Sequence, residues 1–313
     1  MKLRQLHYLC EIANQGLNLS KTAKELHTSQ PGISKQIQLL EEELGVDIFI
    51  RNGKRIVKIT PPGKAILKIA ERMIQDTENL KRVSQEFTHQ AGGTLTIATT
   101  HTQARYVLPS VIKRFTMRYP DVRLILRQGS PTQISALVTS GEADIAIATE
   151  AIEQFHELIM LPCYEWNRCI IVPPTHPLLE LKELTLEAIS QHPIITYDFA
   201  FTGRSKTNQA FESRGLTPNV VLTAIDSDVI KTYVELGLGI GILAKMAFDP
   251  KRDKHLRSID AGHLFEPSTT RIGISRNSYL RSYIFDFIEM FSPHLTETTI
   301  RAALQKRLEH PKS

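Results

Sequence analysis

Apolar positions keep a helical period up to about residue 90 and then alternate between strand-like and helix-like segments. Between Leu17 and Leu44, the stretch LNLSKTAKELHTSQPGISKQIQLLEEEL divides into two short amphipathic helices joined by a polar turn. Ser20 is placed to N-cap the first helix, whose apolar face holds Ala23 and Leu26. His27-Thr28-Ser29 breaks the period. Ser29 then caps a second helix that tolerates Pro31 in its first turn, where a missing N–H costs nothing. Ile33, Ile37, Leu40 and Leu44 give this helix a buried stripe. Its other face carries Gln30, Ser34, Lys35 and Gln38, side chains suited to base edges and, for the lysine, to phosphate. A steeply crossed helix pair of this kind reads as a helix-turn-helix. The plain alternative is a helical hairpin with solvated polar residues. Small Ala23 at the close approach, and Gln and Ser where a solubilising face would carry Glu and Lys, favour the DNA reader.

The segment Arg51-Asn52-Gly53-Lys54-Arg55-Ile56-Val57-Lys58 carries an Asn-Gly hairpin signal and four cations without an acid. This is the composition of a wing on DNA phosphates, though by itself it reads equally well as a solvated charge run. From Pro61 to Gln90, Ala65, Ile66, Ile69, Met73, Leu80, Val83 and Phe87 recur at helical spacing. They predict one long helix that either packs on its own domain or pairs with a second protomer.

Gly92-Gly93 marks a boundary, after which strands are expected at 94–98, 122–126 and 143–148, with helices at 104–117 and 132–140. A second set follows, with strands at 169–172, 193–197 and 220–222, helices at 205–213 and 228–236, and the glycine-rich run Gly237-Leu238-Gly239-Ile240-Gly241. A strand at 271–275 and a helix at 283–291 return to the first set. The expected architecture is α+β and multidomain. A winged helix-turn-helix (1–59) and a linker helix (60–91) precede a two-lobed, periplasmic-binding-protein-like α/β domain (92–313), with lobe I at 92–163 and 268–295 and lobe II at 164–267. Ligands in such sheets lie at strand carboxyl ends.

The first strand of that domain ends in Thr99-Thr100-His101-Thr102-Gln103, just before a helix. Hydroxyls, an amide and free helix N–H groups there make an anion or carboxylate site, although one threonine could serve as a simple cap. Thr149 ends the 143–148 strand at the same sheet edge. Thr202 opens a helix of the second lobe, where cap and ligand contact are about equally expected.

Composition adds bounds. The chain has 313 residues and a net charge of +5, and its first sixty residues hold nine Lys/Arg against six acids. That mild excess makes one domain a weak DNA binder, so a dimer is expected. Cys10, Cys163 and Cys169 are too few for a disulfide framework or zinc site, and no cofactor is expected. No signal peptide or membrane-length apolar run is seen, so a cytoplasmic protein without membrane contact is expected.

The helix-turn-helix pattern through Arg51, the wing and Thr60-Pro61-Pro62-Gly63 resemble the N-terminal domain of LysR-type transcriptional regulators. The resemblance implies that Thr28, Ser29, Gln30, Pro31, Ser34, Lys35 and Gln38 face the major groove of promoter DNA. It implies that the wing, with Arg51, Lys54 and Arg55, meets the backbone, and that the long helix builds a dimer. TTHTQARYVLP, the Thr149 strand end and the segment from Tyr197 to Arg204 resemble the CysB subgroup across nearly the whole chain. Members of that subgroup activate cysteine-biosynthesis genes with RNA polymerase and respond to N-acetylserine, O-acetylserine, sulfate or thiosulfate. Carried over, Thr100, Thr102, Gln103, Thr149 and Thr202 would hold the effector, in a homodimer or homotetramer. A paralogue serving sulfonate use in response to adenylyl sulfate or sulfate, or a LysR-type regulator of another metabolite, would look similar.

An enzyme is the rival class. His101, Cys163, Cys169, His176 and His192 are the available reactive groups, but no nucleophile elbow, phosphate loop or metal-spaced cluster accompanies them. The glycine run leads from a helix into a strand, the reverse of a dinucleotide fingerprint.

Overall fold

Helices α1 (Leu3–Asn14), α2 (Leu19–Glu25) and α3 (Gln30–Leu44) close over Leu9, Ile12, Ile33, Ile37 and Leu40, none of which has exposed surface. This is the first unit of a computed structural model that describes residues 1–53, 55–87, 92–149, 158–198 and 204–306. Residues 1–89 with 277–279 form that unit, and the rest of the chain forms a second. Ser29 caps α3 as expected, accepting from Gly32 N at 3.3 Å, and Pro31 sits in the first turn. The cap of α2 is Asn18 rather than Ser20, with Asn18 Oδ1 accepting from Lys21 N at 3.0 Å. The helix starts two residues earlier than the apolar period shows, and Leu19 is already buried in the core. Leu44 is 39% exposed, against expectation, because α3 stops there at left-handed Gly45.

Strands β1 (Phe49–Asn52) and β2 (Arg55–Ile59) pair antiparallel with Asn52 opposite Arg55, making the wing. Helix α4 (Pro61–Phe87) follows and lays Ile66, Leu67, Ala70 and Ile74 on the helix-turn-helix core. Its other side leaves Ala65, Ile69, Met73 and Leu80 exposed.

The second unit holds two five-stranded sheets. Strands β3 (Gly93–Thr99), β4 (Val122–Gln128), β5 (Ile145–Ala148) and β6 (Leu158–Trp166) join the late β12 (Ser268–Ser275) in the order β4-β3-β5-β12-β6. Strands β7 (Arg168–Val172), β8 (Ile194–Tyr197), β9 (Val220–Ala224), β10 (Ile240–Ala244) and β11 (Arg257–Asp260) make the other sheet, ordered β11-β7-β10-β8-β9. β3 runs parallel to β4 and β5, and β8 runs parallel to β9 and β10, while β12 and β7 are antiparallel to their neighbours. Helices α5 (Leu108–Arg118), α6 (Pro131–Thr139), α10 (Ser282–Phe291) and α11 (Glu297–Lys306) cover the first sheet. Helices α7 (Leu186–Ser190), α8 (Arg204–Glu212) and α9 (Ser227–Glu235) cover the second. The expected two-lobed α/β design is present.

Three elements depart from the sequence reading. The segment after residue 295, which carries no recognisable motif, forms α11 and buries Ile300 completely in the first lobe. The helix expected at 104–117 begins at His101 and contains a π turn over Gln103–Val107 before α5. Strand β6 keeps the chain in the first sheet up to Trp166, so the first crossing falls at Asn167, where 164 was expected to open lobe II.

Buried Arg168 ties the two crossings together. Its Nη1 donates to Glu266 O at 3.0 Å, its Nη2 to Ser268 Oγ at 2.9 Å and its Nε to Thr207 Oγ1 at 3.1 Å. A guanidinium can hold so many acceptors because its donors form a planar fork. The glycine run is a packing device. A Cβ at Gly239 would stand 2.3 Å from Pro193 O, and one at Gly241 would stand 2.4 Å from Ile171 Cγ1.

Candidate functional sites

On the first unit, α3 presents Ser29, Gln30, Pro31, Lys35 and Gln38 to solvent, while Thr28 and Ser34 are half-buried. The Ser20 hydroxyl lies 3.4 Å from Gln30 Oε1. Ser20 thus helps orient a base-reading candidate, a role that the sequence reading missed. On the wing, Arg55 and Lys58 are exposed, and Lys54 lies outside the described residues.

Arg51 differs from expectation. Its Nη2 is 2.7 Å from Glu41 Oε2, and Glu41 is almost fully buried. Glu41 Oε1 also accepts from Ile48 N at 2.8 Å and Phe49 N at 3.0 Å. One carboxylate therefore fixes the entry into β1 and anchors the wing to α3. Arg51 serves that anchor, and among the described wing residues Arg55 and Lys58 are the exposed cations.

In the second unit, Thr99 Oγ1 donates to Ile147 O at 2.9 Å, which locks the carboxyl ends of β3 and β5 together. Beyond them lies a small cleft that opens to solvent. Thr100, His101, Thr102, Gln103 and Thr149 line it from the first lobe, with Trp166 at the crossing. Tyr197, Ile225 and Ala244 face them from the second lobe. Four of the five threonine and glutamine positions expected for the effector therefore share one cavity with the helix start at His101, and Thr202 lies outside the described residues. The π turn sits directly behind this helix start, a distortion that often accompanies functional sites.

The cleft residues have distinct roles. Gln103 has both amide ends engaged. Its Nε2 donates to Thr270 Oγ1 at 3.1 Å, and its Oε1 accepts from the Tyr164 hydroxyl at 2.5 Å. It braces the cleft wall rather than offering an open amide. The Tyr197 hydroxyl meets Ser227 Oγ at 2.6 Å and accepts from Ala244 N at 3.3 Å, and Thr102 lines the cleft beside it. Burial pushes the Tyr197 phenol up, so it stays neutral. The Trp166 indole N–H is buried and has no hydrogen-bond partner among the described residues. A buried orphan donor in a cleft is costly unless an acceptor arrives. Sequence reasoning missed it, although the chain has only one tryptophan and it sits at the lobe crossing.

Polar contacts also span the lobes beside the cleft. Arg105 Nε lies 3.1 Å from Asp228 Oδ2, and the Tyr106 hydroxyl donates to Asp228 Oδ1. Lys231 Nζ reaches Tyr106, Asp228 and, at 3.0 Å, Asp253 Oδ2. Burial works against ionisation of Asp228, but the hydrogen bond from Tyr106 and the Lys231 charge hold its carboxyl below the usual range. Burial, aided by Asp228, pushes the Tyr106 phenol far up.

The groups weighed for catalysis are differently placed. Burial pushes the Cys163 thiol to about 12 and the Cys169 thiol to about 11, so neither supplies a thiolate near neutrality. They lie in the cores of different lobes. His176 and His192 pack edge to face in the second lobe, with ring centroids 4.6 Å apart.

Comparison with known proteins agrees with this division of labour. Residues 3–64 match the family model described as bacterial regulatory helix-turn-helix protein, lysR family, and residues 88–296 match the LysR substrate binding domain. The chain is 54% identical to the HTH-type transcriptional regulator SsuR of Burkholderia cenocepacia, over 98% of this chain and 99% of that protein. It is 53% identical to the HTH-type transcriptional regulator CysB of Haemophilus influenzae, over 98% of this chain and 95% of that protein. The crystal structure of the cofactor-binding domain of the Cbl transcriptional regulator superposes with a TM-score of 0.67 at 44% identity, covering 70% of this chain and 96% of that one. Among the described residues, no helix is long and apolar enough to cross a membrane. The chain is a DNA-binding transcriptional regulator rather than an enzyme, and it belongs to the LysR family and, within it, to the CysB subgroup.

Proposed function

We propose that this regulator controls sulfur-assimilation and cysteine-biosynthesis genes, mainly as an activator, in response to a small effector bound between its lobes. N-acetylserine, O-acetylserine, sulfate and thiosulfate are the effector candidates. The observation that carries the reading is the donor set of the cleft. Threonine hydroxyls, the orphan Trp166 N–H and a helix start converge there without a lysine or arginine among the described lining residues. Neutral donors and a helix dipole suit a small oxyanion or carboxylate that must leave again when its concentration falls.

The relatives named CysB support the sulfur reading. Effector binding bears on lobe closure, since Thr102 of the first lobe and Tyr197 of the second line the same cleft. A closure that the effector favours would re-aim paired DNA readers in a cytoplasmic homodimer or homotetramer and admit RNA polymerase. Phosphate contacts from the wing would position the protein on promoter DNA, and the α3 face would specify sequence.

A second reading is a paralogue that serves sulfonate use and answers to adenylyl sulfate or sulfate. It is supported by the relative named SsuR, which stands as near as those named CysB.

The test is calorimetric titration of the whole chain with the four effector candidates and adenylyl sulfate, repeated on Thr102→Ala and Trp166→Phe. Each variant is expected to weaken sulfate or acetylserine about tenfold, the cost of one lost hydrogen bond to a charged ligand. Binding of adenylyl sulfate alone would favour the second reading. No binding of any of the five would remove the sulfur assignment.

A further inference from the structure

The cleft has an electrostatic difficulty. Among its described lining residues only His101 can become cationic, since the rest are threonines, a glutamine, a tryptophan, a tyrosine and aliphatic groups. A carboxylate stands beside it, because Asp226 Oδ2 lies 3.1 Å from His101 Nδ1. An anion entering the cleft meets the field of Asp226 with no fixed positive side chain among the described lining residues to offset it. The helix start at His101 supplies only a fraction of a charge.

His101 is arranged to supply the remainder. Its Nδ1 is buried and close to Asp226, and it makes no hydrogen bond among the described residues. The surroundings are otherwise committed. On its own helix, Arg105 is paired with Asp228. At the head of α9, Asp226 caps the helix through Oδ1, accepting from Asp228 N at 2.7 Å, and Asp228 is held by Tyr106 and Lys231. Lys231 is shared with Asp253. From β8, Tyr197 faces the cleft as a neutral phenol. The imidazole is thus the one ionisable nitrogen base among the described lining residues, and it stands against Asp226.

We propose that His101 is the proton-coupled charge partner of the bound effector: the imidazole takes a proton from solvent when an anion enters the cleft and returns it when the anion leaves. The inference rests on the reading of the cleft as an anion site. It adds that the regulator responds to pH as well as to effector concentration. It also makes His101 a specificity determinant, favouring anions over zwitterions, whose ammonium group would do better against Asp226 and a neutral imidazole.

The test is titration of the full chain with sodium sulfate at pH 6, 7 and 8, at constant ionic strength, in two buffers of different ionisation enthalpy. Sulfate keeps its charge throughout this range, so any slope belongs to the protein. Binding is expected to tighten several-fold from pH 8 to pH 6, within the limit of about tenfold per pH unit set by one proton. The heats in the two buffers should differ as net proton uptake requires. His101→Asn, which fills similar space but cannot be protonated, should still bind sulfate with a flat profile. Asp226→Asn, which can still cap α9, should bind more tightly at pH 8 and show a smaller slope. Sulfate binding that is independent of pH, or a slope that survives in His101→Asn, overturns the inference while leaving the anion site in place. Sulfate that fails to bind at every pH overturns both.

Discussion

Glu41 and Arg51 form an ion pair of 2.7 Å in which the acid is nearly fully buried and also accepts from two backbone N–H groups of the wing. The pair is therefore an anchor for the β1 entry more than a surface contact. Glu41→Ala strands the Ile48 and Phe49 N–H groups as well as the guanidinium. We expect it to destabilise the first unit by about 3 kcal/mol. Urea denaturation of the full chain, followed by limited proteolysis of the first unit, measures this. A loss below about 1 kcal/mol would show that water replaces the carboxylate without cost.

Lys35 and Gln30 sit on the same exposed face of α3 but should fail differently when truncated. Lys35→Ala should weaken binding to specific and random DNA alike and lower the salt slope by about one. Gln30→Ala should cost about 1–3 kcal/mol on the cognate promoter and little on random sequence. Fluorescence anisotropy over a salt series separates the two. Equal losses on both DNAs for Gln30→Ala would place that side chain at the backbone instead of a base.

These two cases show where the sequence was legible. The period of Ile33, Ile37 and Leu40 set the helix-turn-helix, and the strand pattern of Ile145 to Ala148 set a buried sheet strand, because burial on a fixed face writes itself into spacing. Glu41 reads from sequence as one of three solvated glutamates, because its burial depends on where β1 returns. Gln103 and Trp166 show the same limit in the cleft. Both residue types suit a ligand site, but only the tertiary positions of Tyr164 and Thr270 show that Gln103 is occupied while the Trp166 N–H is left over. The helix α11 was unreadable for another reason. It packs Ile300, Ala303 and Leu304 on a core built by distant strands, and that short apolar spacing spans a single turn, too little to mark a helix by itself.

His176 supplies a pH prediction. Its Nδ1 accepts from Leu178 N at 3.2 Å, which needs an unprotonated nitrogen, and burial followed by the nearby His192 lowers its pKa from the usual value. Below about pH 6.5 the unfolded chain then binds more protons than the folded one at this site, so stability must fall as pH falls through that window. Above it both states are neutral and the site contributes no slope. His176→Asn keeps an acceptor for Leu178 N without titrating. Thermal melts between pH 7.5 and pH 5 should show a smaller loss for this variant than for the parent. Identical pH profiles would mean that His176 does not contribute.

The last prediction concerns self-association. Helix α4 spends one face on its own domain through Ile66, Leu67, Ala70 and Ile74. On the other side Ile69 is 52% exposed, Met73 36% and Leu80 71%, at four- and seven-residue spacings that keep them on one stripe. An apolar stripe on a 27-residue helix is stable in water when a second helix covers it, and a second copy of the same stripe is the partner expected for a dimeric DNA reader. Burying Ile69 and Leu80 contributes about 1.5–3 kcal/mol each. The double change Ile69→Glu and Leu80→Glu removes that gain and sets like charges against each other across the pair. Sedimentation equilibrium should show self-association weakened by at least about a hundredfold. Binding to a two-half-site promoter should fall with it, while the weak binding of one half-site stays the same. If the doubly substituted chain keeps its parent's mass, this stripe is not what joins the protomers, and the lobes of the second unit must carry the assembly.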